Sequence, residues 1–304
     1  MSPRKNLRVA FIGLGAMGGP MAQHLLSAQF EVTGFDLSAE ARERFAAVGG
    51  VPAETVAEAF NGADVAVTML PNGKVVQDAL FKDGAWQSLS ADALVIDMSS
   101  SAPNDTRELA ERLHQKGLRL VDAPVSGGVK RAVEGSLTIM AGGASDDIDQ
   151  ADPILCAMGG QIFRTGPIGS GHAMKAINNF VSGAGVLAAI EGVLLGRTFG
   201  LDPRTIVDIL NSSSGKNNAT EVKMKQFILS ETFGSGFALG LMAKDIRIAA
   251  DLSKALNLQL PTLAGTADAW DAARHALGPD VDHTKIAQFV KIRPDREKLR
   301  QTDS

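Results

Sequence analysis

The residues best suited to chemistry lie in GPIGSGHAMKAINNF, residues 166–180. Glycines lead into a run of small and apolar residues that carries one cation, Lys175, and two amides, Asn178 and Asn179. Asparagine is a poor residue in a helix interior, so two in succession point to a polar cavity. Asn179 follows Lys175 by four residues, and in a helix both face the same side. A lysine beside small apolar neighbours such as Ala173, Met174 and Ile177 would be desolvated. Its ammonium would then be drawn toward neutral pKa and could move a proton. The plainer alternative is a lysine snorkelling from a helix surface, with two capping or exposed amides.

A second constellation sits near the start. VAFIGLGAMGGPMAQHL, residues 9–25, places Gly13, Gly15 and Gly18 in G-x-G-x-x-G spacing, directly after a strand-like run and at the opening of a helix. Gly13 permits the tight turn, Gly15 lets a pyrophosphate approach the backbone, and Gly18 lets the helix pack on the sheet. The amides at the helix start favour phosphate, and Leu14, Ala16 and Met17 complete the turn. Asp36 ends the next strand-like run, 21 residues after Gly15. A carboxylate there accepts from ribose hydroxyls and repels a 2′-phosphate. Arg42 and Arg44 lie further on, and no arginine follows Asp36 directly, so NAD is favoured over NADP.

The elements that must position these groups change character along the chain. Strand-like runs at 8–12, 31–35, 64–70, 93–98 and 118–121 alternate with amphipathic stretches at 17–28, 39–48 and 104–116. That alternation predicts βαβ units around a mainly parallel sheet. A strand at 136–141, a helix at 146–158 and a closing strand at 161–165 follow. Helical patterns alone then remain, at 172–198, 203–211, 217–229, 240–257 and 262–276, with Pro203 and Pro261 near helix starts. The expectation is an α/β Rossmann-type domain over 1–165 and an all-α domain over 166–304 that opens with a long interdomain helix.

Composition sets the bounds. The 304 residues are 45% hydrophobic and 21% charged, with a net charge of −4, which gives no basic field for nucleic acid. The single cysteine, Cys156, excludes an internal disulfide framework and fits a reducing cytoplasm. Its flanks, PILCAMGG, predict a buried, inert thiol. The five histidines are scattered, with no metal-ligand spacing, and His24 and His114 read as surface or packing residues. The N-terminus lacks a secretory core region. The apolar run 180–196 is interrupted by Glu191 and is short for a bilayer span, so no membrane is expected. The tail 294–304 is polar and expected to fray.

Five ordered motifs complete the picture: GLGAMGGPMAQHL at 13–25, DAPVSGG at 122–128, GSLTIMAGG at 135–143, GSGHAMKAINN at 169–179 and MAKD at 242–245. Together they resemble the β-hydroxyacid dehydrogenases, a family that includes 3-hydroxyisobutyrate dehydrogenase and tartronate semialdehyde reductase. The resemblance covers nearly the whole chain. It implies that Lys175 is the catalytic acid/base and that Asn179 holds the substrate hydroxyl or orients the lysine, with Asn178 able to share that face. It implies that Ser126, Gly127 and Gly128, a small loop after a strand, bind the substrate carboxylate. Ser100 is implied beside the nicotinamide, Leu70 and Pro71 beside the adenine ribose, and Lys244 across the cleft toward cofactor and substrate. Asp245 is implied to fix the helix or the lysine; a surface ion pair is the alternative.

The implied activity is NAD-dependent interconversion of a small 3-hydroxy acid and its semialdehyde, by a homodimer or homotetramer. The related 6-phosphogluconate dehydrogenase carries a histidine and a glutamate three and seven residues after the lysine; Asn178 and Ser182 stand here instead. MLPNG and DALVIDMS, at 69–73 and 92–99, are similar to sulfolactaldehyde reductase, but the PVSGG loop favours a carboxylate substrate. NSSSGKNNATEVK, residues 211–223, departs from the family pattern and is expected to line the distal pocket, where its polar groups suit a polar substrate. Reduction of tartronate semialdehyde or another polar aldehyde acid is the alternative, and a non-catalytic NAD-binding scaffold is a third reading.

Overall fold

A computed structural model describes residues 7–292. The chain divides into two compact units at Lys175/Ala176. The polar tail expected at 294–304 lies outside the described residues.

The first unit is built on β1 (Arg8–Ile12), β2 (Glu31–Phe35), β3 (Val51–Pro52), β4 (Val65–Thr68), β5 (Leu94–Asp97) and β6 (Arg119–Asp122). These pair in the parallel order β3-β2-β1-β4-β5-β6. β7 (Val125–Ser126) and β8 (Leu137–Gly142) add antiparallel pairs, and β9 (Gly159–Gly166) returns parallel to β8. Every residue of β4 and β5 is buried, which explains why VAVT and LVID read as unbroken runs rather than alternating ones. Helices α1 (Gly18–Ser27), α2 (Ala39–Ala47), α3 (Val56–Phe60), α4 (Gly73–Phe81), α5 (Pro103–His114), α6 (Gly128–Val133) and α7 (Ser145–Met158) supply the covering layers. One apolar cluster centres on Phe11, Met21 and Ile96, the other on Ile12, Phe60 and Leu80. The helices start where side chains take orphan amides: Ser38 caps α2 through Ala41, and Asn72 caps α4 through Val75 at 3.0 Å.

Three expectations are corrected here. Cys156 is exposed, because α7 turns it away from the face formed by Ile148, Ile154 and Leu155. Ser126 to Gly128 is not a plain loop: Ser126 pairs with Thr138 in β7, and Gly128 opens α6. The sequence reading also lacks α4 and the short elements β3, α3, α6 and β7, of which the last four, at two to six residues, hold too few periods to register.

The second unit is helical. α8 (Ser170–Phe199) runs into it and is followed by α9 (Pro203–Ser212), a π-helix (Ala219–Ile228), α10 (Leu239–Ala255), α11 (Pro261–Leu277) and α12 (Ile286–Ile292). Pro203 and Pro261 each take the first helical position, and Asp202 caps α9 through Thr205 at 2.8 Å. Val186, Ile190, Ile246 and the fully buried Trp270 anchor the core. The run 180–196, read as short for a bilayer, belongs to a 30-residue helix long and apolar enough to span one. Its buried face instead packs into this core through Val186, Ile190 and Val193. The 217–229 segment is π rather than α. Asn211 Nδ2 takes the Thr220 carbonyl at 3.0 Å, and Asn217 Oδ1 receives the Ala219 and Thr220 amides, so the ladder is reset at its start.

Candidate functional site

The nucleotide-type residues converge at the carboxyl ends of the parallel strands, beside the β1/β4 junction where strand order reverses. The three glycines of the turn differ in their surroundings. Gly13 has φ +100°, and a Cβ there would stand 2.3 Å from the Met69 carbonyl. A Cβ on Gly18 would stand 1.8 Å from the Gly13 carbonyl, so α1 closes directly onto the turn. At Gly15 no protein atom lies within 4 Å of that position. Tight packing thus accounts for the outer two glycines, while the middle one borders open space that a pyrophosphate can occupy. Leu14, Ala16 and Met17 fill the turn between them.

Asp36 is locked to the same turn. Its Oδ2 accepts the Leu14 amide at 2.7 Å and its Oδ1 the Ser38 amide at 2.9 Å. Two carboxylate oxygens offer about four lone-pair directions, which leaves capacity for ribose hydroxyls. Arg42 donates to the Asp36 carbonyl at 2.8 Å and to Glu54 at 3.0 Å, so it is tied into the protein and not offered to a 2′-phosphate. These residues fit a dinucleotide. Leu70 donates its amide to Ser99 Oγ at 2.9 Å, and its side chain reaches 3.2 Å from the Gly13 Cβ position. Pro71 follows, exposed, and Ser100 is half-buried beyond β5.

Ser126, Gly127 and Gly128 lie beyond β6. Gly127 has φ +132° and Gly128 φ +67°, a pair of left-handed residues that turns the chain into α6. Successive amides in such a turn can face an anion.

A buried cluster missed in the sequence lies behind α8. His172 is 1% exposed; its Nδ1 meets Thr106 Oγ1 at 2.8 Å and its Nε2 the Ser99 carbonyl at 3.1 Å. Asp122 accepts the Gly169 amide at 2.7 Å and the His172 amide at 2.8 Å, capping α8 from the end of β6. Burial pushes the Asp122 carboxyl up to about 6, partly opposed by neighbouring His172. Asp97 holds Thr68, Ser99 and Ser101 around the same core. A Cβ on Gly171 would lie 2.2 Å from the Met140 carbonyl, so the backbone of α8 is pressed against the sheet here. The glycine spacing GSG was the available signal; the histidine was hidden by its distance in sequence from both aspartates.

Lys175 stands one turn beyond His172, half-buried. Two of its presumed screens, Met174 and Ile177, are 40% and 44% exposed, because they fall on the outward stripe of α8; they do not bury the lysine. In the second unit Asn179 is 5% exposed and donates Nδ2 to Asp245 Oδ2 at 2.6 Å. Asn178 donates to Asn179 Oδ1 at 3.1 Å. The amide of Asn179 is therefore oriented, with one N–H left for a ligand. Asp245 is 2% exposed, so the MAKD pair is no surface ion pair; Lys244 Nζ lies 3.4 Å from Asp245 Oδ1.

Comparison with known proteins gives the family. Residues 8–166 match the NAD binding domain of 6-phosphogluconate dehydrogenase, and residues 169–290 match the NAD-binding domain of NADP-dependent 3-hydroxyisobutyrate dehydrogenase. The chain is 36% identical to 2-(hydroxymethyl)glutarate dehydrogenase of Eubacterium barkeri, over 89% of this chain and 90% of that one. It is 34% identical to 3-sulfolactaldehyde reductase of Escherichia coli K12, over 93% and 96%. The structure of Mycobacterium tuberculosis 3-hydroxyisobutyrate dehydrogenase with L-serine superposes with a TM-score of 0.87 at 31% identity, covering 94% of this chain and 99% of that one. With a dinucleotide turn, a Rossmann sheet and a helical second unit all in place, the chain belongs to the β-hydroxyacid dehydrogenase family, oxidoreductases of small hydroxy acids.

Proposed function

We propose that this protein oxidises a small 3-hydroxy acid to its semialdehyde, or runs the reverse reduction, with NAD as cofactor. The observation that carries the reading is the oriented pair Asn178 and Asn179 on α8, held by Asp245 of α10 and in helical register with Lys175. NAD, when bound, accepts or returns the hydride at its nicotinamide. Lys175 takes the hydroxyl proton as hydride leaves the carbinol carbon, and returns it in reduction. Asn179 uses its remaining N–H to hold the substrate oxygen, and Asp245 keeps that amide from rotating. Ser126, Gly127 and Gly128 receive the carboxylate. Gly13, Leu14, Gly15, Ala16, Met17, Gly18, Asp36, Leu70, Pro71 and Ser100 hold the cofactor, and Lys244 completes the cationic side. The working division is a nucleotide domain over 1–165 and a substrate and self-association domain over 166–304.

Asp36 supports NAD over NADP. Replacing Asp36 with serine and Leu37 with arginine is expected to move the kcat/KM preference toward NADP; an unmoved preference makes Asp36 a turn residue only.

The exposed apolar residues Val181, Leu195 and Phe199, at 61%, 74% and 83%, support a homo-oligomer through α8, and the lone cysteine supports a cytoplasmic setting. Light scattering of the purified chain tests the first of these.

The substrate test is NADH fluorescence with 3-hydroxyisobutyrate, glycerate, threonate, tartronate semialdehyde and sulfolactaldehyde. Turnover of at least one is expected. Cofactor binding with no turnover on the whole panel favours the scaffold reading.

A further inference from the structure

One cation of the helical unit remains outside this account. Lys223 lies in the middle of the π-helix, and its side chain is half-buried. Its one hydrogen bond among the described residues is a long one, 3.4 Å, to Ser182 Oγ. Among the described residues no carboxylate lies within ion-pair distance of it; Asp282 and His283 are titratable groups that act on it or are acted on by it. Burial pulls its ammonium below the usual lysine range, with Asp282 opposing. An ammonium has three donors, and desolvating it without an anion is costly.

Three further features mark the place as built for a ligand. Long π-helices are rare and concentrate at functional sites, because the i→i+5 ladder re-aims side chains. The reset that creates this one is imposed by Asn211 and Asn217, from the polar segment 211–223. Ser182 lies three residues beyond Asn179 on α8, so it continues the same helix face by one turn. Asn217 also lies against α8 one turn further, 3.6 Å from the Gly185 Cβ position. A ligand held at Asn179 that extends along α8 meets Ser182 and then Lys223.

We propose that Lys223 and Ser182 form the subsite that selects the substrate's far end, and that the preferred substrate is a 3-hydroxy acid bearing a second anionic group there. The inference rests on the dehydrogenase reading above. The ammonium gains a counter-charge only when the dianion is bound, and a ligand with an apolar end leaves it unpaired.

The test is a matched pair of probes that differ only at the far end: 2-(hydroxymethyl)succinate, ending in a carboxylate, and 2-(hydroxymethyl)butanoate, ending in a methyl group. The wild-type enzyme is expected to prefer the succinate by at least ~10-fold in kcat/KM, the scale of one charge-assisted hydrogen bond. Lys223→Met is expected to bring that ratio to about 1, and Lys223→Arg to keep much of it. The ratio is taken within each enzyme, so partial misfolding cancels. A wild-type ratio near 1, or an unchanged ratio in Lys223→Met, overturns the subsite while leaving the dehydrogenase reading intact. Turnover of neither probe, nor of the earlier panel, overturns both.

Discussion

Each unit buries an imidazole beside an aspartate and treats it differently. In the α/β unit both ring nitrogens of His172 are matched, by Thr106 and the Ser99 carbonyl. In the helical unit His283 Nδ1 meets the Phe237 carbonyl at 3.1 Å, while Nε2 has no hydrogen bond. The contrast is general. Among the described residues, the buried side-chain atoms without a hydrogen bond are Asn211 Oδ1, Asp245 Oδ1 and His283 Nε2, and all lie in the helical unit. Unmatched buried polar atoms are expensive and call for a reason. The sheet unit uses its polar interior to fix backbone: Asp122 caps α8, and Asp97 ties the end of β4 to the loop after β5. In the helical unit Asp245 Oδ1 has an ion pair with Lys244 at 3.4 Å, and among the described residues Asn211 Oδ1 and His283 Nε2 are left without a hydrogen bond.

Four perturbations sharpen or break this contrast. The largest effect belongs to the tight side. Gly18→Ala forces a methyl group into the Gly13 carbonyl and is expected to cost about 3 kcal/mol or more, measured by urea unfolding. Gly15→Ala meets no protein atom, so its stability should stay within ~0.5 kcal/mol of the parent while NAD affinity falls. Equal destabilisation by the two would erase the distinction between a packed and a ligand-facing glycine.

Next comes Asp122, whose folded-state pKa is raised to about 6 by burial. A raised carboxyl favours the folded state fully only below its unfolded value, 3.8, and that contribution is lost as pH rises through about 6. The stability of the wild type relative to Asp122→Asn should therefore decline between about pH 4 and pH 6, by on the order of 3 kcal/mol, and then level off. A flat difference across that window means the carboxyl is not perturbed.

A smaller effect is expected from Asp245→Ala, which frees the Asn179 amide. A loss of about tenfold in kcat/KM should follow, near the worth of one charge-assisted bond. Unchanged kinetics would make the Asn179–Asp245 contact a packing feature. The smallest is spectroscopic. Burial holds His283 down to about 4, and the Lys223 charge adds to that. A depressed histidine costs stability as pH falls through its unfolded value toward its folded one. Lys223→Met should raise the His283 pKa seen by NMR and lessen that acid sensitivity; no movement would separate the two groups.

The sequence made the sheet unit legible because its signals are local. Five strand-like runs, the G-x-G-x-x-G turn and Asp36 can each be read within a few residues, and the structure makes the runs neighbouring parallel strands with the turn and Asp36 joined at the carboxyl ends of β1 and β2. The Asn178–Asn179 pair was legible for the same reason. What escaped depends on contacts between distant segments. His172 meets Asp122 across a sequence separation of 50 residues. The α pattern over 217–229 carried no sign that Asn211 and Asn217 would reset its ladder. Cys156 was misplaced because apolar flanks fix neither the rotation of a helix nor which face it buries.

The most direct test of the whole account is a single-turnover measurement on Lys175→Ala. Enzyme pre-loaded with NAD is mixed with the best substrate of the panel, and NADH formation is followed by stopped flow, with NAD affinity measured on the same sample. The account predicts hydride transfer at least ~100-fold slower than in the parent, with NAD affinity unchanged. A rate within a few-fold of the parent would contradict it and leave the lysine without a part in proton transfer.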